Sequence, residues 1–176
     1  KIAVLELSFL DSLHNLDIDP VAIADDGESN KVTDVTNGEK IDYVSVGDRK
    51  EPNLEELSSM DLDLIIADTT RHSKIYEDLS KIAPTIVLDS IDSSYDEYIQ
   101  NFETIAEIVG KEDVAKAKIE EAEKNILSGN FNINPKRIGD NLKGCEYCKY
   151  RELCYLKEED IVNLKEYKDL SFLDNN

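Results

Sequence analysis

Basic residues are scarce in this chain, which has 20 Lys and Arg against 39 Asp and Glu and a formal net charge of −19. A field of that sign repels phosphate backbones, which excludes the bulk of the surface, and residues 1–118 in particular, as a nucleic-acid partner. Long apolar runs are also missing, so no segment reads as a membrane span. No signal peptide is recognisable. The first residue is Lys1 rather than Met, and it enters a strand at once. The amino terminus is therefore expected to be cropped or processed, with an export signal or anchor lost. Cysteine is limited to three residues, all within Cys145–Cys154. An odd, clustered set is not a disulfide framework and suits metal chemistry in a reducing compartment. Histidine is limited to His14 and His72, so little imidazole is on hand to complete a metal site.

What is present is alternation. The runs "IAVLEL" (2–7), "PVAIA" (20–24), "YVSVG" (43–47), "LDLIIAD" (62–68) and "PTIVLD" (84–89) read as strands. Between them, "SFLDSLHNL", "NLEELSSM" and "SKIYEDLSKIA" read as helices, while 25–42 reads as a loop with some helix. Ser8 is the predicted N-cap of the first helix, with Asp11 in its first turn. Asn53 caps the second, with Glu56 in capping-box position. Strands and helices at this spacing imply right-handed βαβ units and a parallel sheet. The alternation then gives way to a helical stretch, Tyr95 to Leu127, broken at Gly110. The expected fold is α/β: a parallel-sheet lobe with flanking helices, a long helix, then a small, mainly α or irregular Cys-containing tail. The expected boundaries are 1–118 for the lobe, 119–129 for the linking helix and 130–176 for the tail.

Ligands of open α/β sheets bind beyond the carboxyl ends of the strands. Those ends here carry Ser8 and Phe9, Asp25 and Asp26, Asp48 and Arg49, and Asp68, Arg71 and His72. Two arginines thus converge on one edge of an acidic protein. A pair of planar forks suits a polycarboxylate or an anionic chelate; the alternative is that both arginines are tied up in salt bridges with neighbouring acids. The segments "VLELSFLDSL", "VAIADD", "SVGDRKEPNLEEL" and "DLIIADTTRHSKIYEDLSKIAPTIVLDS", in this order, resemble the amino-terminal lobe of the ferric-citrate and siderophore-binding proteins of iron-uptake ABC transporters. The resemblance implies a non-enzymatic solute-binding protein, outside the cytoplasmic membrane and tethered to it by a lost amino-terminal anchor. It implies ferric citrate or another anionic iron chelate as ligand and an ABC permease as partner, and no cofactor for the lobe. Arg49 and Arg71 would contact the ligand, with Ser8, Phe9 and His72 as neighbours. Asp48 departs from the small hydroxyl residue usual before that arginine, and is expected to neutralise Arg49 and oppose an anionic chelate. A second α/β lobe, which the family would supply next, has no pattern after Gly129, so the function is expected to be incomplete.

Cys145 and Cys148 form a C-x-x-C turn, followed by Cys154. Thiolates in that spacing suit zinc or an iron–sulfur cluster, with a fourth ligand lacking; a set of free thiols is the plainer alternative. The segment from Ile126 to Asn176 resembles the carboxyl terminus of the nuclease domain in the B subunit of bacterial AddAB helicase–nucleases. There, three such cysteines and a distant fourth hold a [4Fe–4S] cluster. That resemblance implies the alternative function, a cytoplasmic nuclease fragment binding a cluster and DNA, with the basic stretch Lys136, Arg137, Lys143, Lys149 and Arg151 facing the nucleic acid. Its catalytic carboxylates have no counterpart here. "EYK" (166–168) has the letters but falls in a charged helix. Two resemblances with different compartments imply a chimera, joined within Val114–Leu127.

Overall fold

A computed structural model describes residues 1–91 and 93–128, together with the backbone of 137–138 and 141–142. The chain divides into two units, Lys1–Glu123 and Lys124–Asn176. The first is an α/β lobe. Five strands, β1 (Ile2–Val4), β2 (Ala22–Ile23), β3 (Val44–Ser45), β4 (Leu64–Asp68) and β5 (Thr85–Leu88), form one sheet in the order β3-β2-β1-β4-β5. Every pairing is parallel. The order reverses between β1 and β4, and a crevice opens at such a reversal, beyond the carboxyl ends of the two strands.

The central strands β1, β2 and β4 are buried on both faces because they send apolar side chains alternately to each side. Val4, Ile23, Leu64 and Ile66 face one layer with Phe9, Leu10, Leu13, Phe102 and Ile105. Ala3, Leu5, Ala22, Ile65 and Ala67 face the other, with Leu57 and Leu79. The first layer is supplied by α1 (Leu7–Asn15), α2 (Ser29–Val35) and α6 (Tyr95–Val109). The second is supplied by α3 (Leu54–Ser59) and α5 (Tyr76–Ile82), with the one-turn α4 (Thr69–His72) at the end of β4. Thus 25–42 holds a two-turn helix, the helix expected over 73–83 begins at Tyr76, and the one-turn α4 before it is not expected from the sequence.

Some helix ends follow local capping rules and others do not. Asn53 Oδ1 accepts from the backbone N–H of Glu55 and Glu56, both at 3.1 Å. Ser94 and Glu97 form a complete capping box on α6, so the box lies here and not at Glu56. Gly110 ends α6 in the left-handed region at φ 69°, a conformation that costs glycine nothing; α7 (Glu112–Leu127) follows. Helices that start without a side-chain cap include α2 at Glu28, α5 at Ile75, and α1. Its N-cap is Glu6, not Ser8, and the Glu6 side chain makes no bond to the helix. Among the described residues no helix is long and apolar enough to cross a membrane.

In the second unit, α7 ends at Leu127, and the two-residue strands β6 (Arg137–Ile138) and β7 (Asn141–Leu142) pair antiparallel. No strand is expected there from the sequence. Cys145, Cys148, Cys154 and the side chains of the basic stretch lie outside the described residues.

Candidate functional site

Three loops meet where the sheet order reverses. Leu5 and Glu6 follow β1, Asp25 and Asp26 follow β2, and Gly47–Arg49 follow β3; Asp68, Arg71 and His72 lie at the end of β4. The loop after β3 is closed by a bridge between Gly47 and Pro52. Gly47 has φ 83°, a left-handed turn that sends the chain back toward β2, where Asp26 accepts from the Arg49 backbone N–H at 3.0 Å.

The two sequence-predicted arginines do come together, on a residue that sequence reasoning missed. Glu6 is 4% exposed. Its Oε1 accepts from Arg71 Nη1, and its Oε2 from Arg49 Nη1 at 3.4 Å. One carboxylate therefore bridges both guanidiniums. Burial raises the Glu6 carboxyl above its usual range, Asp68 adds to this, and the two arginines oppose it without cancelling it. A signal is present in the sequence: Glu6 is the one acid inside the otherwise apolar run "IAVLEL".

Arg49 is held on a second side. Its Nε and Nη2 reach Asp26 Oδ2 at 2.9 and 2.8 Å, and Lys31 Nζ joins the same oxygen at 2.8 Å. Hydrogen bonds from Arg49 and then Lys31 hold the Asp26 carboxyl far below the usual carboxylate range, against the upward effect of burial. Asp48, expected to neutralise Arg49, does not. It is exposed, and its carboxylate accepts from the Lys50 backbone N–H at 2.6 Å. Asp26 and Glu6 take that role instead.

Arg71 is less occupied. It makes its single hydrogen bond to Glu6, and its Nε and Nη2 have no partner among the described residues. Its side chain keeps 24% of its surface. Its backbone is fixed by Asp68, whose Oδ1 caps α4 through Thr70 N–H at 2.9 Å and Arg71 N–H at 2.7 Å. Asp68 Oδ2 accepts from Ser90 N–H and Oγ–H at 3.0 and 2.7 Å. Burial tends to raise the Asp68 carboxyl, but these donors more than offset it and leave it lowered.

His72 is fully buried. Its Nδ1 accepts from the Asp68 N–H at 2.8 Å, and its Nε2 lies 2.7 Å from the Arg49 carbonyl oxygen, to which Nε2–H donates. Both ring nitrogens are thus bonded within the lobe, and burial depresses the imidazole pKa. The ring joins the Arg49 loop to the end of β4, which leaves it no atom for a ligand. Phe9 is 2% exposed and packs in the core layer under α1. Ser8 lies in the first turn of α1, and its Oγ is buried without a hydrogen-bond partner among the described residues.

A profile of the periplasmic binding proteins matches residues 2–128. The chain belongs to the periplasmic binding protein family. The match runs to the far end of α7, through the helix in which a chimeric junction is expected. The chain is 54% identical over 126 residues to the Fe(3+)-citrate-binding protein YfmC of Bacillus subtilis, covering 72% of this chain and 40% of that protein. It is 39% identical over 121 residues to the Fe(3+) dicitrate-binding periplasmic protein FecB of Escherichia coli, covering 69% and 40%. Among solved structures, the petrobactin-binding protein YclQ of Bacillus subtilis superposes with a TM-score of 0.61 at 30% identity, covering 73% of this chain and 45% of that one. The chain therefore spans less than half the length of the curated relatives it matches.

Proposed function

We propose that this periplasmic-binding-protein lobe supplies one wall of a binding site for an anionic iron chelate, with ferric citrate as the first candidate. The observation that carries the reading is Arg71: a partly exposed guanidinium at the sheet's reversal, anchored through one nitrogen and with its other two nitrogens unpartnered among the described residues. A guanidinium edge of that kind takes a carboxylate through two parallel N–H donors. Likeness to relatives named for ferric citrate supports the choice of chelate. The role is binding rather than catalysis, in an ABC iron-uptake system outside the cytoplasmic membrane, with delivery to a permease and tethering by an anchor. Two relatives named as lipoproteins support the tether. No cofactor is needed for the lobe's part. The nuclease reading, with DNA and a zinc or [4Fe–4S] centre at Cys145, Cys148 and Cys154, gains nothing from residues 2–128, which match the binding-protein family.

Titration calorimetry of the full chain with ferric citrate tests the proposal. Saturable heat that is lost in Arg71→Ala is the expected result. No heat at ligand concentrations of about 1 mM, where even weak binding is worth about 4 kcal/mol, rejects it.

A further inference from the structure

The arginine pair is not presented bare. Between the two guanidiniums lies a carboxylate that belongs to the protein, almost fully buried and using one oxygen for each arginine. All three nitrogens of Arg49 are engaged, Nε and Nη2 by Asp26 and Nη1 by Glu6, which leaves one N–H on each Nη. Among the described residues Arg71 uses one side-chain nitrogen of three. Glu6 also stands at the N-cap of α1 yet leaves that helix end uncapped. Ser, Thr, Asp and Asn at this position ordinarily accept from the helix N–H groups, and the longer Glu6 side chain does not. Its carboxylate is instead drawn to the arginines, 43 and 65 residues away in sequence.

Building on the anionic-chelate reading, we propose that Glu6 is a specificity-determining residue of this site. It acts as a built-in counter-ion that occupies the inner donors of both arginines, limits the positive charge offered to a ligand, and leaves the Nε–Nη2 edge of Arg71 as the anion contact. With Glu6 and Asp26 in place, two carboxylates balance Arg49 and Arg71, and Lys31 is shared between Asp26 and Glu28, 2.8 and 3.1 Å away. Asp68, which has no salt-bridge partner among the described residues, adds negative charge at the backbone of Arg71. Such a site tolerates an anion without attracting it strongly. A chelate of high negative charge meets repulsion from Glu6 as well as attraction from Arg71, and a chelate of low charge meets little of either. Arg49 is then a positioning residue, which holds Glu6 and the β3 loop rather than the ligand.

The test is Glu6→Gln, which keeps the shape and one acceptor and removes the charge. Ferric citrate binding is measured by calorimetry for both proteins at low and at physiological salt. The expected result is binding about tenfold tighter in the variant, with a steeper loss of affinity on adding salt, because an uncompensated guanidinium now faces the ligand. Equal affinity and equal salt dependence in two folded proteins overturns the proposal while leaving the chelate reading intact. No binding by either protein overturns both. Since Glu6→Gln also loosens a buried ion pair, circular dichroism and thermal unfolding accompany it, and a second measurement on the wild type keeps the question open to refutation. Raising salt should barely weaken wild-type binding of ferric citrate, and a steep salt dependence there shows that Glu6 does not shield the pair.

Discussion

His72 offers a direct probe of how the two halves of the site edge are joined. The ring is fully buried, accepts from Asp68 N–H at 2.8 Å and donates to the Arg49 carbonyl at 2.7 Å. A ring bonded in this way is neutral, and its protonation puts a hydrogen where Asp68 N–H already points one. Its pKa lies below the ordinary 6.5, burial being the main cause. The unfolded chain takes up the proton near 6.5 and the native lobe does not. The stabilising contribution is therefore complete above that value and is lost as pH falls toward the native pKa. The loss is about 1.4 kcal/mol for each pH unit that separates the native pKa from the unfolded one. His72→Gln isolates this effect, since an amide can keep both hydrogen bonds and does not titrate. Urea unfolding of both proteins at about pH 7 and about pH 5 gives the comparison. Wild type is expected to lose more than the variant on acidification, by that amount. His14 and Glu6 are present in both proteins and cancel in the difference. Equal losses would show that His72 protonates freely in the native lobe and would refute the assigned bonding. A His72→Phe variant removes both bonds, leaves the Asp68 N–H and Arg49 carbonyl unsatisfied, and costs about 1–3 kcal/mol for each.

The two arginines should separate in stability as well as in binding. Arg49→Ala releases Asp26 and half of Glu6 and costs about 2 kcal/mol, whereas Arg71→Ala costs about 1, as denaturant midpoints will show. Asp25, Asp26 and Asp68 are all held below the ordinary 3.8. Their contribution is intact above that value and lost below it, so thermal unfolding should fall steeply under about pH 4 and less steeply in Asp68→Asn. Glu6, raised by burial, works in the opposite sense. Phe102, 6% exposed between α6 and the sheet layer, should cost about 3–5 kcal/mol on truncation to Ala, measured by urea unfolding.

Much of this was legible from residues alone. The strand runs, the helix caps at Asn53, the stop at Gly110 and the parallel α/β class all rest on short-range rules, and a strand or cap is visible wherever the rule is local. The ordered motifs from "VLELSFLDSL" to "PTIVLDS" were enough to identify the binding-protein family. Misreadings arose where a side chain had a distant use. Ser8 is a good cap by type, but the cap position falls to Glu6 because β1 ends at Val4 and α1 already begins at Leu7. His72 looked like a ligand neighbour by position, yet its polar atoms were needed inside, since a buried ring must satisfy both nitrogens.

The sequence by itself determined that two arginines stand at strand ends in an acidic α/β chain. Only the tertiary structure decided what they face. Asp48 adjoins Arg49 in the chain but turns to its own loop, while Glu6 and Asp26 reach it across 43 and 23 residues. The physical reason is the strand order. Placing β1 between β2 and β4 brings the residue after the first strand between the loops after the third and fourth, and a buried carboxylate there is stable only against cations.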